Sequence, residues 1–236
     1  MKYLKRFMDW YQGNNDIEKA TPKKAIPRIG YFLWNYPEKI IMVNLLFLLG
    51  CLPVITIPAS FAALDTYLMR LYRDGYGVSL TDFWTEWKQE ACRCIPFGML
   101  IAACLFYGYY LMSVSYNFGS GLEQGMLFGI GLAVMLVSIC TGQYTMIIVS
   151  MFHLSVKDSL KNACMIMFLE WKSSFLLIGW IGFVMILFLA CMPYSVLLLI
   201  FCMVSIQQLV VCAIMNPVLE RRMIQPYRQL MGQHMI

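Results

Sequence analysis

The sequence predicts an all-α integral membrane protein: a bundle of six transmembrane helices, both termini cytoplasmic, with a proline-rich break between the first two helices. Three observations predict it. Hydrophobic residues make up 60% of the 236 positions and charged residues only 13%, about half the charged share of a soluble domain. The mean hydropathy is +0.66. All 18 Lys and Arg residues fall in four segments, Met1–Lys39, Arg70–Arg93, Lys157–Lys172 and Arg221–Arg228, separated by apolar runs. Cytoplasmic loops are enriched in Lys and Arg, so sorted charge constrains topology. The net charge of +5 is the ordinary basic bias of such loops beside anionic lipid, and it gives no reason to invoke nucleic acid.

Residues 1–30 read as a cytoplasmic N-terminal segment. Leu4, Phe7, Met8 and Tyr11 recur at helical spacing among Lys2, Lys5 and Arg6, and Gly13-Asn14 supplies a stop. This predicts a short basic amphipathic helix on the inner membrane surface. It lacks the continuous apolar core and small-residue cleavage site of a signal peptide. Residues 31–217 carry the six spans, and residues 218–236 form a cytoplasmic tail.

Four apolar runs supply the spans: Lys39–Met69, Ile95–Tyr116, Met126–Leu154 and Ser174–Met215. One crossing takes about 20 residues. The second and third runs are one helix each, joined by Asn117–Gly125, which has no Lys or Arg. The fourth is about twice the single-crossing length and is interrupted at Cys191-Met192-Pro193-Tyr194-Ser195. Two helices are expected there, Ser174–Cys191 and Ser195–Met215, the second ended by Asn216-Pro217. The first run contains Leu52-Pro53-Val54-Ile55-Thr56-Ile57-Pro58. A single crossing would scatter the basic segments over both faces. Two crossings, near Leu33–Leu52 and Pro58–Arg73, gather all four on one face. The second of these is only about 24 Å long, which leaves open whether Pro53–Pro58 is a full outer turn or a re-entrant kink. A cysteine at Gly121 is expected to react with an impermeant thiol reagent from outside, and one at Gly77 is not. Thr81–Arg93 and Ser155–Lys172 read as cytoplasmic surface helices. Tyr31, Trp34 and Tyr36 at the first span, and Trp171 and Trp180 at the fifth, are expected at headgroup level.

Several of these stretches resemble a family. Asn44-Leu45-Leu46, Leu52-Pro53-Val54-Ile55-Thr56-Ile57-Pro58-Ala59, Ala62-Ala63-Leu64 and Arg73-Asp74 are similar to the YesL-like family of bacterial membrane proteins. Asp82-Phe83-Trp84, Trp87-Lys88 and Ser159-Leu160-Lys161-Asn162-Ala163 fit the same pattern. The resemblance implies a multi-pass protein of the bacterial cytoplasmic membrane, associated with carbohydrate uptake through ABC importers. It implies no molecular activity. Asp65 stands where the family more often looks aromatic or neutral.

Asp65 is expected near mid-depth of the second helix, where an ionisable group is a functional candidate by default. The alternatives are neutralisation by Arg70 or a protonated carboxyl bonded to a neighbouring helix. Asn44, Thr56, Thr141, Gln143, Gln207 and Gln208 are polar groups in apolar surroundings. They read as interhelical glue, with Gln143, Gln207 and Gln208 the ones that could line a cavity. Most cysteines lie in apolar runs as small hydrophobes, and Cys92-x-Cys94 lacks companions for a metal site. With two isolated histidines (His153 and His234), no G-x-S-x-G elbow and no Walker A sequence, neither an enzyme nor a bound cofactor or metal is expected. Lys157, Asp158, Lys161 and Asn162 occupy the polar face of an amphipathic stretch, either lying on lipid or docking on ABC importer subunits. Two functions follow. An accessory or regulatory component of a carbohydrate ABC import system would act by protein contact and would present Trp84, Trp87, Lys88 and Lys161 at its cytoplasmic surface. A solute-translocating permease would instead bring Asp65, Asn44, Gln143 and Gln207 around one cavity.

Overall fold

The structure is a computed structural model and describes residues 25–74, 80–117, 121–152, 154–192 and 194–225. The predicted Leu4–Tyr11 helix, Gly77, His153, Pro193 and His234 lie outside the described residues. The described residues form helices α1 (Ala25–Asn35), α2 (Pro37–Gly50), α3 (Ile57–Asp74), α4 (Leu80–Ser115), α5 (Leu122–Phe152), α6 (Val156–Leu169) and α7 (Trp171–Ala190). Then α8 (Tyr194–Leu198) passes through a π-helical turn (Leu199–Met203) into α9 (Val204–Leu219), which a second π turn (Glu220–Ile224) extends. Among the described residues, five stretches are long and apolar enough to cross a membrane: Val54–Arg73, Arg93–Ser115, Leu122–Phe152, Trp171–Ala190 and Tyr194–Ile224. This is the pattern of a multi-pass membrane protein.

The expected first span, Leu33–Leu52, is not one helix. Pro37 disfavours helical geometry at the residue before it, and Tyr36 leaves the helix at φ −132°, ψ 41°. That leaves α2 with 14 residues, about 21 Å, too short to be a crossing by length. The surface helix expected at Thr81–Arg93 is instead the first half of α4. Leu80, Phe83, Glu86, Glu90, Cys94 and Phe97 are all buried, a stripe at helical spacing that runs unbroken through Pro96 and holds both halves in one helix. The helix expected to stop at Asn216-Pro217 continues, because Val218 and Leu219 beyond the proline are packed in the core. Trp180, expected at an interface, lies in the middle of α7, partly buried.

Helices α2 and α3 form an antiparallel hairpin. Phe47 meets Phe61 with ring centroids 4.9 Å apart, and Thr56 closes the turn by donating to the carbonyls of Gly50 (2.8 Å) and Pro53 (2.6 Å). Arg28 of α1 holds the far end, donating to the Arg73 carbonyl at 2.7 Å with its guanidinium 4.8 Å from the Tyr72 ring centre. Within the Val54–Arg73 stretch, 61% of the most apolar window is buried inside the protein, against 17–33% for the other four. So α3 fills the middle of the bundle, and the longer helices turn Phe106, Ile130, Phe175, Ile186 and Phe201 outward.

The depth of this hairpin follows from two contacts. Pro58 packs on Gly98 so closely that a Cβ there would sit 1.8 Å from the proline ring. Farther along, Arg70 pairs with Glu86 at 2.5 Å. Helix α3 therefore lies against residues 86–98 of α4. From Gly98 the α4 helix continues to Ser115, about 26 Å farther. Helix α5 goes with it, its Gly131 against Gly108, where a Cβ would meet backbone oxygen at 2.8–3.0 Å. Small residues of this kind let membrane helices approach closely. The turn at residues 51–56 thus stops well short of the α4–α5 end, and Leu52, Val54 and Ile55 at its tip are exposed.

Candidate functional site

Side chains from three helices converge on Asp65. It is fully buried on α3, on the face turned toward α5 and α9. Gln208 of α9, also buried, donates to Asp65 Oδ1 at 2.5 Å and to Gln143 Oε1 of α5 at 2.9 Å. One amide nitrogen therefore ties three helices. Arg70, the neutralising cation in one of the two alternatives, is paired with Glu86 instead. Asp65 Oδ2 has no hydrogen-bond partner among the described residues. Beside it is a cavity of about 270 Å³ between α3, α4 and α5, reached by Asp65 and Gln143 and walled by Pro58, Phe61, Ile101 and Met146. That volume lies just below the roughly 300–1,000 Å³ of ordinary small-molecule pockets. Asp65 sits between the Pro58–Gly98 and Arg70–Glu86 contacts. It is midway along α3, as expected, and lies beside the charged half of α4.

The other candidates go elsewhere. Asn44 donates to the carbonyls of Leu199 (2.9 Å) and Ile200 (2.8 Å). Its own oxygen accepts from the Ser205 amide (3.0 Å) and hydroxyl (3.2 Å). These are groups at and just past the first π turn, where regular i→i−4 pairing is interrupted. Thr56 serves its own turn, and Thr141 donates to Met167 Sδ at 3.4 Å. Gln207 lines a separate cavity of about 250 Å³ with Trp180 and Ser195. The residue that joins Asp65 is its neighbour Gln208. Buried Ser205, Gln208, Cys212, Met215 and Leu219 recur at helical spacing. That stripe distinguishes the two glutamines, and it is visible in the sequence once α9 is extended past Pro217.

Trp84 and Trp87 are half-buried, not a projecting surface. Their rings meet edge to face at 5.6 Å, and Trp87 Nε1 donates to Ser60 Oγ at 3.0 Å, which joins α4 to the hairpin. Lys88 and Lys161 are exposed. Helix α6 is capped by Ser155, whose hydroxyl accepts from the Asp158 amide at 3.3 Å. It buries Ser159, Ala163, Ile166 and Met167 and exposes Lys157, Asp158 and Lys161.

Against known proteins, a family model described as "Protein of unknown function, DUF624" matches residues 40–112. The match covers most of α2, all of α3 and α4 nearly to its end, and so includes the hairpin, Asn44, Asp65 and the Pro58–Gly98 contact. No curated protein and no solved structure matches the chain.

Proposed function

We propose that this chain is an accessory component of a carbohydrate ABC import system in a bacterial cytoplasmic membrane, and that it works by protein contact. The observation that supports this reading is the occupied interior. Helix α3 fills the centre of the bundle, and Asn44, Thr56 and Gln207 do not join Asp65 and Gln143 around one cavity. The surface available for contact is the charged face of α6, with Lys157 and Lys161, together with Lys88 on α4. In this reading both termini are cytoplasmic. The α2–α3 hairpin enters from the basic face and returns to it, so the sidedness expected of six spans is kept without two full crossings. Copurification tests it: the importer's membrane and ATPase subunits are expected to come down with this protein in mild detergent, without crosslinker. Recovery of the protein alone, with sugar uptake intact in its deletion strain, would count against contact.

The second reading, a solute-translocating permease, is favoured by one observation, the unpartnered Asp65 Oδ2 beside a cavity. Asp65→Asn separates the two. It keeps an oxygen for Gln208, so expression and uptake are expected to match the parent under the contact reading. Loss of uptake at normal expression is the permease outcome. Gln208→Leu removes the three-helix tie, and thermal stability in detergent is expected to fall by about 1–3 kcal/mol.

A further inference from the structure

A third cavity, of about 770 Å³, opens between α6 and the last π turn. Phe152, Met165, Leu169 and Met223 give it apolar walls, and Arg221 and Arg222 stand at its edge. The two guanidiniums share one carboxylate. Arg222 Nε donates to Glu170 Oε1 at 2.9 Å, and Arg221 Nη2 lies 3.5 Å from Glu170 Oε2. Arg221 Nε is spent on the Pro217 carbonyl at 3.2 Å. Each guanidinium has five N–H donors, so most remain available among the described residues, and the cluster keeps one net positive charge. Both arginines are substantially exposed, at 58% and 44% of their side chains.

The cavity lies at the boundary between charged and apolar parts of the fold. Arg93, where the apolar stretch of α4 begins, donates to the carbonyl of Leu154, a residue of the cavity wall, at 3.0 Å. Its Met165 and Leu169 walls are exposed apolar side chains, as are Phe168 beside them on α6 and Trp171 and Phe175 on α7. A ligand here meets two guanidiniums at one end and lipid-facing apolar side chains at the other.

We infer that this cavity binds an anionic diacyl phospholipid, its phosphate on Arg221 and Arg222 and the start of its acyl chains along Met165 and Leu169. Guanidinium pairs recognise phosphate through parallel N–H···O bonds. Basic pockets between helices at a membrane surface favour anionic headgroups. Glu170 competes for the same donors and sets the affinity.

Native mass spectrometry of the full chain, delipidated in detergent and titrated with phosphatidylglycerol or phosphatidylcholine, tests this. The parent is expected to retain phosphatidylglycerol in preference, and inorganic phosphate at millimolar concentration is expected not to displace it. R221Q/R222Q should weaken retention roughly tenfold to thirtyfold, while K157Q/K161Q, which removes the same charge from the exposed face of α6, should change it little. E170Q should tighten it, an effect that a merely misfolded variant cannot produce. Equal losses in the two double variants, equal retention of both lipids, no tightening in E170Q, or displacement by phosphate would each overturn the site.

Discussion

Replacing Gly98 with valine is expected to abolish recovery of folded protein. A Cβ at this position would lie 1.8 Å from Pro58 Cγ and 2.6 Å from its Cβ. The obstacle is a proline ring, which has no rotamer to yield, so α3 and α4 must separate. Overpacking of a core ordinarily costs about 1–3 kcal/mol, and a rigid ring at the tip of a central helix belongs at or above the top of that range. Separation here would also disturb the Asp65 cavity, which both residues line. Size-exclusion chromatography in detergent reads the outcome, a monodisperse peak lost to aggregate. Gly179, by contrast, has nothing within 4 Å of its added Cβ, so Gly179→Val serves as the tolerated control. A monodisperse Gly98→Val protein with parental stability would mean that the hairpin does not pack on α4 as described.

Asn44→Leu is the second large effect. The substitution removes four hydrogen bonds at once and leaves the carbonyls of Leu199 and Ile200 and the Ser205 amide without that partner. Away from water, unpaired backbone groups are expensive. Taking about 1 kcal/mol for each lost interhelical bond, the expected loss is about 3–5 kcal/mol, read as a lower aggregation temperature in detergent. Asn44→Asp is expected to fail similarly, because a carboxylate cannot donate to the two carbonyls. A parental melting temperature for Asn44→Leu would show that the π turn is satisfied in another way.

These two residues also mark what the sequence could convey. The sorted Lys and Arg residues and the apolar runs are enough to predict an all-helical membrane chain, because both are read from residue type along the chain without knowledge of packing. Asn44 was legible as interhelical glue, since an amide in an apolar run needs a partner. Its partner, the irregular turn at Leu199–Met203, was not, because no residue type there distinguishes a π turn from an α-helix. Glycine 98 carried no signal either, since a close approach is a property of two helices and only one is visible at a time. The neighbours of Asp65 on α4 are hidden for a related reason. Counting from Pro58 places it within α3, but where α3 stands against α4 is set by the Pro58–Gly98 and Arg70–Glu86 contacts. Gln208 rather than Gln207 joins it because the stripe that selects Gln208 becomes clear only when α9 is carried past Pro217.

On the proposed reading the α2–α3 hairpin is short, enters from the basic face and leaves α4 and α5 to continue alone. Single cysteines at Ile55, at the hairpin tip, and at Gly121, beyond α4, test it most directly in a background otherwise free of reactive thiols. A membrane-impermeant maleimide added to intact cells is expected to label Gly121→Cys and to spare Ile55→Cys. Labelling of both to the same extent would contradict it, by making residues 51–56 an outer turn between two complete crossings.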